Sequence, residues 1–226
     1  MILLDDNKNP ITVNPGNYIS KGSFGQVYHY GKGNCIKLFT KYPLSDPEDT
    51  LVFFRDHDFS NFYNIKNIYY NPKDLRVIGY KMKFYKTCDI DLHTVDSSYI
   101  LDSYNGLLKD IELLSRNGIT LCDFAFYNLL LTEKGIISID ADLFNSKRGM
   151  SYEATYIRNL YELKLGLVDL ISSQYRDSQS IDKQRINFAS YCAYVHSLVR
   201  PMENDHDFSK TLSREKNLDS YMRRAL

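Results

Sequence analysis

The chain has 226 residues with 28 Lys plus Arg against 28 Asp plus Glu, so no overall field favours nucleic acid or an anionic membrane as a partner. Hydrophobic residues at 43% and charged residues at 25% are the balance of a globular chain able to bury a core. No window approaches the ~18 uncharged apolar residues of a membrane span, and the four cysteines at 35, 88, 122 and 192 form no CxxC pair that would suggest zinc or a disulfide framework.

The first ten residues, MILLDDNKNP, turn acidic too early for a secretory leader. Together with the widely spaced cysteines this predicts reduced thiols and a cytoplasmic setting, whether in the producing cell or after delivery into a host cell. The stretch YISKGSFGQVYHYGKGNCIKLF (18–39) predicts strand, glycine turn, strand, turn, strand, with two-residue alternation in QVYHY. Ser45-Asp46-Pro47-Glu48 predicts a helix start with Pro at the first helical position. Two further strands are expected around the turn Asn71-Pro72-Lys73-Asp74.

Beyond Cys88 the period changes. Apolar residues at 100, 101, 104, 107, 108, 111 and 114 predict an amphipathic helix that Gly118 ends. NLLLTEKGIISI (128–139) predicts a hairpin. SYEATYIRNLYELKLGLVDLISS (151–173) predicts a helix apolar almost all round and therefore internal, followed by helices in 182–200 and 218–226. The fold class expected is α+β and two-lobed: residues 1–86 as a five-stranded sheet with one helix, residues 87–226 as a mainly helical lobe carrying the hairpin.

Several residues in this pattern are chemically unusual. Gly22 and Gly25 flank a turn tipped by Phe24, and glycines let backbone N–H groups approach phosphate oxygens; an ordinary hairpin turn is the alternative. Lys37 stands between Ile36 and Leu38 in an apolar strand, where an ammonium needs an anion unless its stem snorkels to water. Asn128 precedes the first hairpin strand and Asp140 follows the second, so the hairpin brings an amide oxygen and a carboxylate together, hard donors suited to Mg²⁺ carrying phosphates. Asp123, five residues before Asn128, can accept a proton from a hydroxyl nucleophile. The histidines at 29, 57, 93, 196 and 206 show no metal-ligand spacing.

With these parts in this order, residues 15–175 resemble the protein kinase family, in a minimal form of bacterial or viral type. SKGSFGQV resembles the glycine-rich loop, with Ser20 at its first glycine; CIK resembles V-A-I-K; LCDFAFYN resembles H-R-D-x-x-x-x-N; and IDAD sits where D-F-G belongs. The resemblance implies ATP under Ser20, Gly22, Ser23, Phe24, Gly25 and Val27, and Lys37 on its phosphates. It implies Mg²⁺ on Asn128 and Asp140, and Asp123 as catalytic base. Glu48 is preferred over Asp56 and Asp58 as the acid orienting Lys37. The implied activity is transfer of the ATP γ-phosphate to Ser or Thr hydroxyls of a protein substrate, with Tyr as a further acceptor class. A small-molecule kinase and a nucleotide-binding pseudokinase scaffold are the alternatives. Cys122 replaces the family's arginine, Ala125 its lysine and Ala141-Asp142 its Phe-Gly, and no A-P-E sequence follows, so activation-loop control is expected to be slight or absent.

Overall fold

The structure, a computed structural model, describes residues 1–41, 47–92, 95–140, 144–146 and 150–178. Ser45, Asp46, His93, Asp142, Cys192, His196, His206 and the two helices expected in 182–200 and 218–226 lie outside the described residues. The elements in chain order are β1 (Ile2–Leu4), β2 (Pro10–Thr12), β3 (Tyr18–Lys21), β4 (Gly25–His29), β5 (Asn34–Phe39), α1 (Glu48–Asp56), β6 (Ile65–Tyr70) and β7 (Val77–Lys83). They continue with α2 (Ser97–Arg116), β8 (Ile119–Thr120), β9 (Leu129–Thr132), β10 (Gly135–Ser138), β11 (Asn145–Ser146) and α3 (Tyr152–Ser178). The chain is thus mixed α and β.

The main sheet is antiparallel and curled into a half-barrel, in the order β2-β1-β6-β7-β5-β4-β3. It has seven strands where five were expected. The two additional strands come from the first twelve residues, three residues each and too short for an alternation signal. Pro10 is tolerated because β2 is an outer strand, where a missing N–H interrupts no ladder. The β1 strand and the segment after β2 contribute Leu3 and Val13, which pack with Tyr28, Ile36, Leu38 and Tyr69 on one face of the sheet. Ile36 and Leu38 therefore turn away from Lys37, as two-residue alternation requires.

The larger core lies on the other side and runs without a break from the sheet into the helices. Leu51 and Phe54 of α1, Tyr80 and Met82 of β7, Tyr104, Leu107 and Ile111 of α2, and Leu163 and Leu167 of α3 all belong to it. Aromatic rings fill its centre, with Phe54 stacked at 4.5 Å on Phe59 and at 5.4 Å on Tyr63. The expected period of α2 is realised: Ile100, Tyr104, Leu107, Ile111 and Leu114 are buried, Asp96 caps the start, and Gly118 follows the end at φ +67. Pro47 sits at the N-cap of α1, one residue ahead of its expected place. The first turns of α3 bury one face only, with Thr155 and Asn159 enclosed and Ile157 68% exposed, and burial becomes nearly continuous from Leu163.

One buried carboxylate ties the sheet side to the helical side. Asp110 of α2, 4% exposed, accepts hydrogen bonds from the backbone N–H groups of Ser60, Asn61 and Phe62 at 2.9, 2.6 and 3.0 Å. Burial raises its pKa against the opposing pull of these three donors. The loop so held reaches the hairpin: Asn61 Nδ2 donates to the Ile136 carbonyl at 2.8 Å, the Ser138 N–H to the Asn61 carbonyl at 2.7 Å, and the Tyr63 N–H to the Ser138 carbonyl at 2.9 Å. Ser138 is therefore fixed on both sides, and the chain leaves it directly towards Asp140.

Candidate active site

The turn between β3 and β4 folds back on itself. The Gly22 N–H donates to the Gly25 carbonyl at 2.8 Å, and the Phe24 carbonyl accepts from the N–H of Thr40 at 2.8 Å. Gly25 pairs with Phe39, and a Cβ there would stand 2.7 Å from the Leu38 carbonyl oxygen and 3.1 Å from Cε of Lys37. The glycine is needed for the lysine stem to pass beneath the turn. Gly22 is different: its φ is not left-handed, and a Cβ would meet nothing closer than 3.9 Å.

Lys37, 5% exposed, occupies the middle of β5 between Val27 of β4 and Tyr80 of β7. Its ammonium pairs with Oδ1 of Asp140. The two residues are 103 positions apart in sequence, and the hairpin is what joins them: β9 and β10 pair in register from Leu129↔Ser138 to Thr132↔Gly135. Just past them the Ile139 N–H donates to the Asn128 carbonyl at 2.8 Å. Asp140 then takes φ +72, a left-handed backbone that carboxylate and amide residues tolerate better than most.

Asp123 has the same unusual backbone, at φ +57, in the loop between β8 and β9. Among described non-glycine residues the left-handed set is Lys8, Leu75, Asp123 and Asp140. The two acids of this set line one cleft, where strained conformations are held by their surroundings. The surroundings here are explicit. The Ala125 N–H donates to the Asp123 carbonyl at 2.9 Å, and Asn128 Nδ2 donates to that carbonyl at 2.9 Å and to Asp123 Oδ2 at 3.4 Å. The Tyr127 hydroxyl donates to Asp123 Oδ1. That bond, then partial burial, pushes the Tyr127 phenol up to about 12.

The loop itself is anchored from α3. Asn159, fully buried, accepts from the Leu121 N–H at 2.8 Å and donates to the Ile119 carbonyl and to Ser115 Oγ, both at 2.9 Å. Gly166 lets α3 approach closely, since a Cβ there would lie 2.6 Å from the Phe124 carbonyl oxygen.

These elements enclose a cleft of about 380 Å³. Ser20, Gly22, Ser23, Phe24, Gly25, Val27, Lys37, Asp123, Asn128 and Asp140 all line it, and Tyr80, Met82 and Ile139 add an apolar floor. Size and lining, apolar walls with a few convergent polar groups, suit a small-molecule ligand. Glu48 does not line the cleft. It stands at the start of α1 and accepts a hydrogen bond from the Tyr70 hydroxyl at 3.2 Å. Asp56 is held by Nε of Arg55 at 2.7 Å.

The cleft offers two side-chain oxygens to a divalent cation, from Asn128 and Asp140. Asn128 is buried, and with its NH₂ turned to Asp123 its side-chain oxygen accepts no hydrogen bond among the described residues. Asp140 engages Lys37 through Oδ1, which leaves Oδ2 as a second hard donor. Among the described residues no group of three His, Cys, Asp or Glu side chains can hold a metal alone. Two protein oxygens with the rest supplied by ligand phosphates and water is the habit of Mg²⁺, and the residues fit it.

Sequence reasoning missed Asp110, Tyr127 and Asn159. Asn159 and Gly166 left a faint signal, because both are poor residues for a helix interior. Tyr127 left none. Compared with known proteins, the chain matches no family model and no curated protein. Among the described residues no helix is long and apolar enough to cross a membrane, and Cys35, Cys88 and Cys122 are free thiols.

Proposed function

We propose that the chain is an ATP- and Mg²⁺-dependent phosphotransferase of protein kinase type, with a β-rich lobe over a mainly helical one and the cleft between them. One observation carries this reading: the buried Lys37 ammonium and the Asp140 carboxylate meet in a cleft that also holds the glycine turn, Asp123 and Asn128. Lys37 is buried while the Asp140 side chain stays 35% exposed, and an ion pair of this kind contributes little net stability against a hydrophobic replacement, so its presence here is best explained by a ligand.

In this reading the apolar floor of Val27, Tyr80, Met82 and Ile139 takes the nucleotide base, and the turn amides with Lys37 take the phosphates. Mg²⁺ on Asn128 and Asp140 would neutralise charge on the phosphate oxygens when bound. Asp123 orients the acceptor hydroxyl and receives its proton, while Asn128 fixes the carboxylate through its amide. Asn159 acts at a distance, holding the Asp123 loop against α2. The acceptors proposed are Ser and Thr hydroxyls of a protein.

A small hydroxylated acceptor is the second reading, and β11 favours it. Asn145 pairs with Thr120 and Ser146 with Ile119, so residues 145–146 are held on β8 and are not free to pair with a peptide along that edge.

Thermal melting with and without ATP and Mg²⁺ tests nucleotide binding, since a ligand of the folded state raises the midpoint. Asp123→Asn is expected to keep that shift and to lower phosphoryl transfer by about 10²–10⁴-fold. Unchanged transfer in this variant would remove Asp123 from the mechanism. No melting shift at millimolar nucleotide would leave a protein-binding scaffold as the better account.

A further inference from the structure

The hydroxyl that Asp123 holds in this structure belongs to the chain itself. Tyr127 donates to Oδ1 of Asp123, the oxygen that the reading above assigns to an acceptor hydroxyl, and the inference rests on that reading. The Tyr127 ring is 59% exposed and lines the cleft that contains Lys37 and Asp140, so it is not a packed core residue that happens to end near a carboxylate. The carboxylate is in turn oriented by a third group, because Asn128 Nδ2 reaches Asp123 Oδ2 at 3.4 Å and the Asp123 carbonyl at 2.9 Å. A hydroxyl on a base, with the base held by an amide, is the arrangement of an activated nucleophile.

We propose that Tyr127 is a self-modification site: the chain transfers the γ-phosphate of bound ATP to its own Tyr127 hydroxyl. The phenolic oxygen forms the new bond to the γ-phosphorus as the bond from that phosphorus to the β,γ-bridging oxygen breaks, its electron pair leaving with ADP. The phenolic proton passes to Asp123 Oδ1 and then to solvent. The products are phosphotyrosine at position 127 and ADP. The reaction is intramolecular, because nucleophile and base lie four residues apart in one loop, and it occurs once per chain. The product dianion then stands beside Asp123 and Asp140, and like-charge repulsion disfavours a second ATP in the cleft until the ring turns outward.

The full chain incubated with ATP and Mg²⁺ and cut with trypsin yields the fragment 117–134, NGITLCDFAFYNLLLTEK, in which Tyr127 is the only tyrosine. The expected result is one phosphoryl group in this fragment, located on Tyr127 and absent in Tyr127→Phe. Its first-order rate constant should be unchanged over a roughly tenfold dilution of protein, as an intramolecular step demands. The melting shift with ATP and Mg²⁺ is measured on the same samples. A shift accompanied by no phosphate on Tyr127, or by phosphate only elsewhere, overturns the self-modification site and leaves the phosphotransferase standing. A rate constant rising with protein concentration overturns the intramolecular step. Absence of any shift overturns both readings. Loss of the hydroxyl in Tyr127→Phe touches no core packing, so the variant is expected to fold.

Discussion

Replacing Gly25 with Ala puts a Cβ 2.7 Å from the Leu38 carbonyl oxygen and 3.1 Å from Cε of Lys37. The lysine stem can rotate aside, but the carbonyl belongs to the paired strand and cannot. The β4–β5 ladder must open around Gly25↔Phe39, an overpacking cost of about 1–3 kcal/mol. For a chain of this size that corresponds to a melting temperature lower by roughly 2–12 °C. Gly22→Ala makes the control, because its Cβ meets nothing within 3.9 Å and its backbone is not left-handed. With no native-state conflict, reduced freedom of the unfolded chain should stabilise it by about 0.4–1 kcal/mol. Its effect falls on the ligand instead: if the turn amides lie against phosphates, an added methyl group weakens ATP binding by about tenfold, equal to ~1.4 kcal/mol. Urea unfolding and calorimetric ATP titration of both variants separate the two effects. A Gly25→Ala variant as stable as its parent, or a Gly22→Ala variant less stable than Gly25→Ala, would refute the steric reasoning. Undiminished ATP affinity in Gly22→Ala would refute the placement of the phosphates.

Asp110→Ala should lower the unfolding free energy by about 3–5 kcal/mol in urea melts, because three backbone N–H groups, two of them buried, lose their acceptor; a loss under about 1 kcal/mol would mean that water replaces the carboxylate. Cys35, buried with its thiol pushed up from 9.0 to about 11, should resist alkylation at mildly alkaline pH while the less buried Cys88 and Cys122 react, as mass mapping of labelled thiols would reveal. The sign of its pH effect follows from the same shift. A raised folded-state pKa contributes stability that is intact below 9.0 and lost as pH rises through about 11, so Cys35→Ala should flatten the fall of the melting temperature across that window.

Much of the candidate site was readable because its signals are local. The hairpin from Leu129 to Ser138 follows from two apolar runs around a glycine turn, and pairing of its ends places Asn128 near Asp140 without further information. The apolar period of α2 foretold which of its residues are buried. An ammonium between Ile36 and Leu38 announced that an anion had to meet it, and Asp140 does. The β1 and β2 strands escaped notice because three residues cannot establish a period. The hydrogen bond from the Tyr70 hydroxyl to Glu48 escaped notice as well, because helix position alone does not say which strand α1 packs against.

Residue type and spacing were enough to single out side chains that come to line one cleft, since a cation in an apolar strand and acids at strand ends are costly without a partner. Only the folded chain decides their supports. Asp110 reaches residues 48 to 50 positions away, and Asn159 partners 38 to 44 positions away. The left-handed backbones of Asp123 and Asp140, and the turning of the Tyr127 hydroxyl onto Asp123, likewise depend on packing around the loop. Contacts of that range carry no periodic trace along a chain, because they arise where separately formed elements come to share one core.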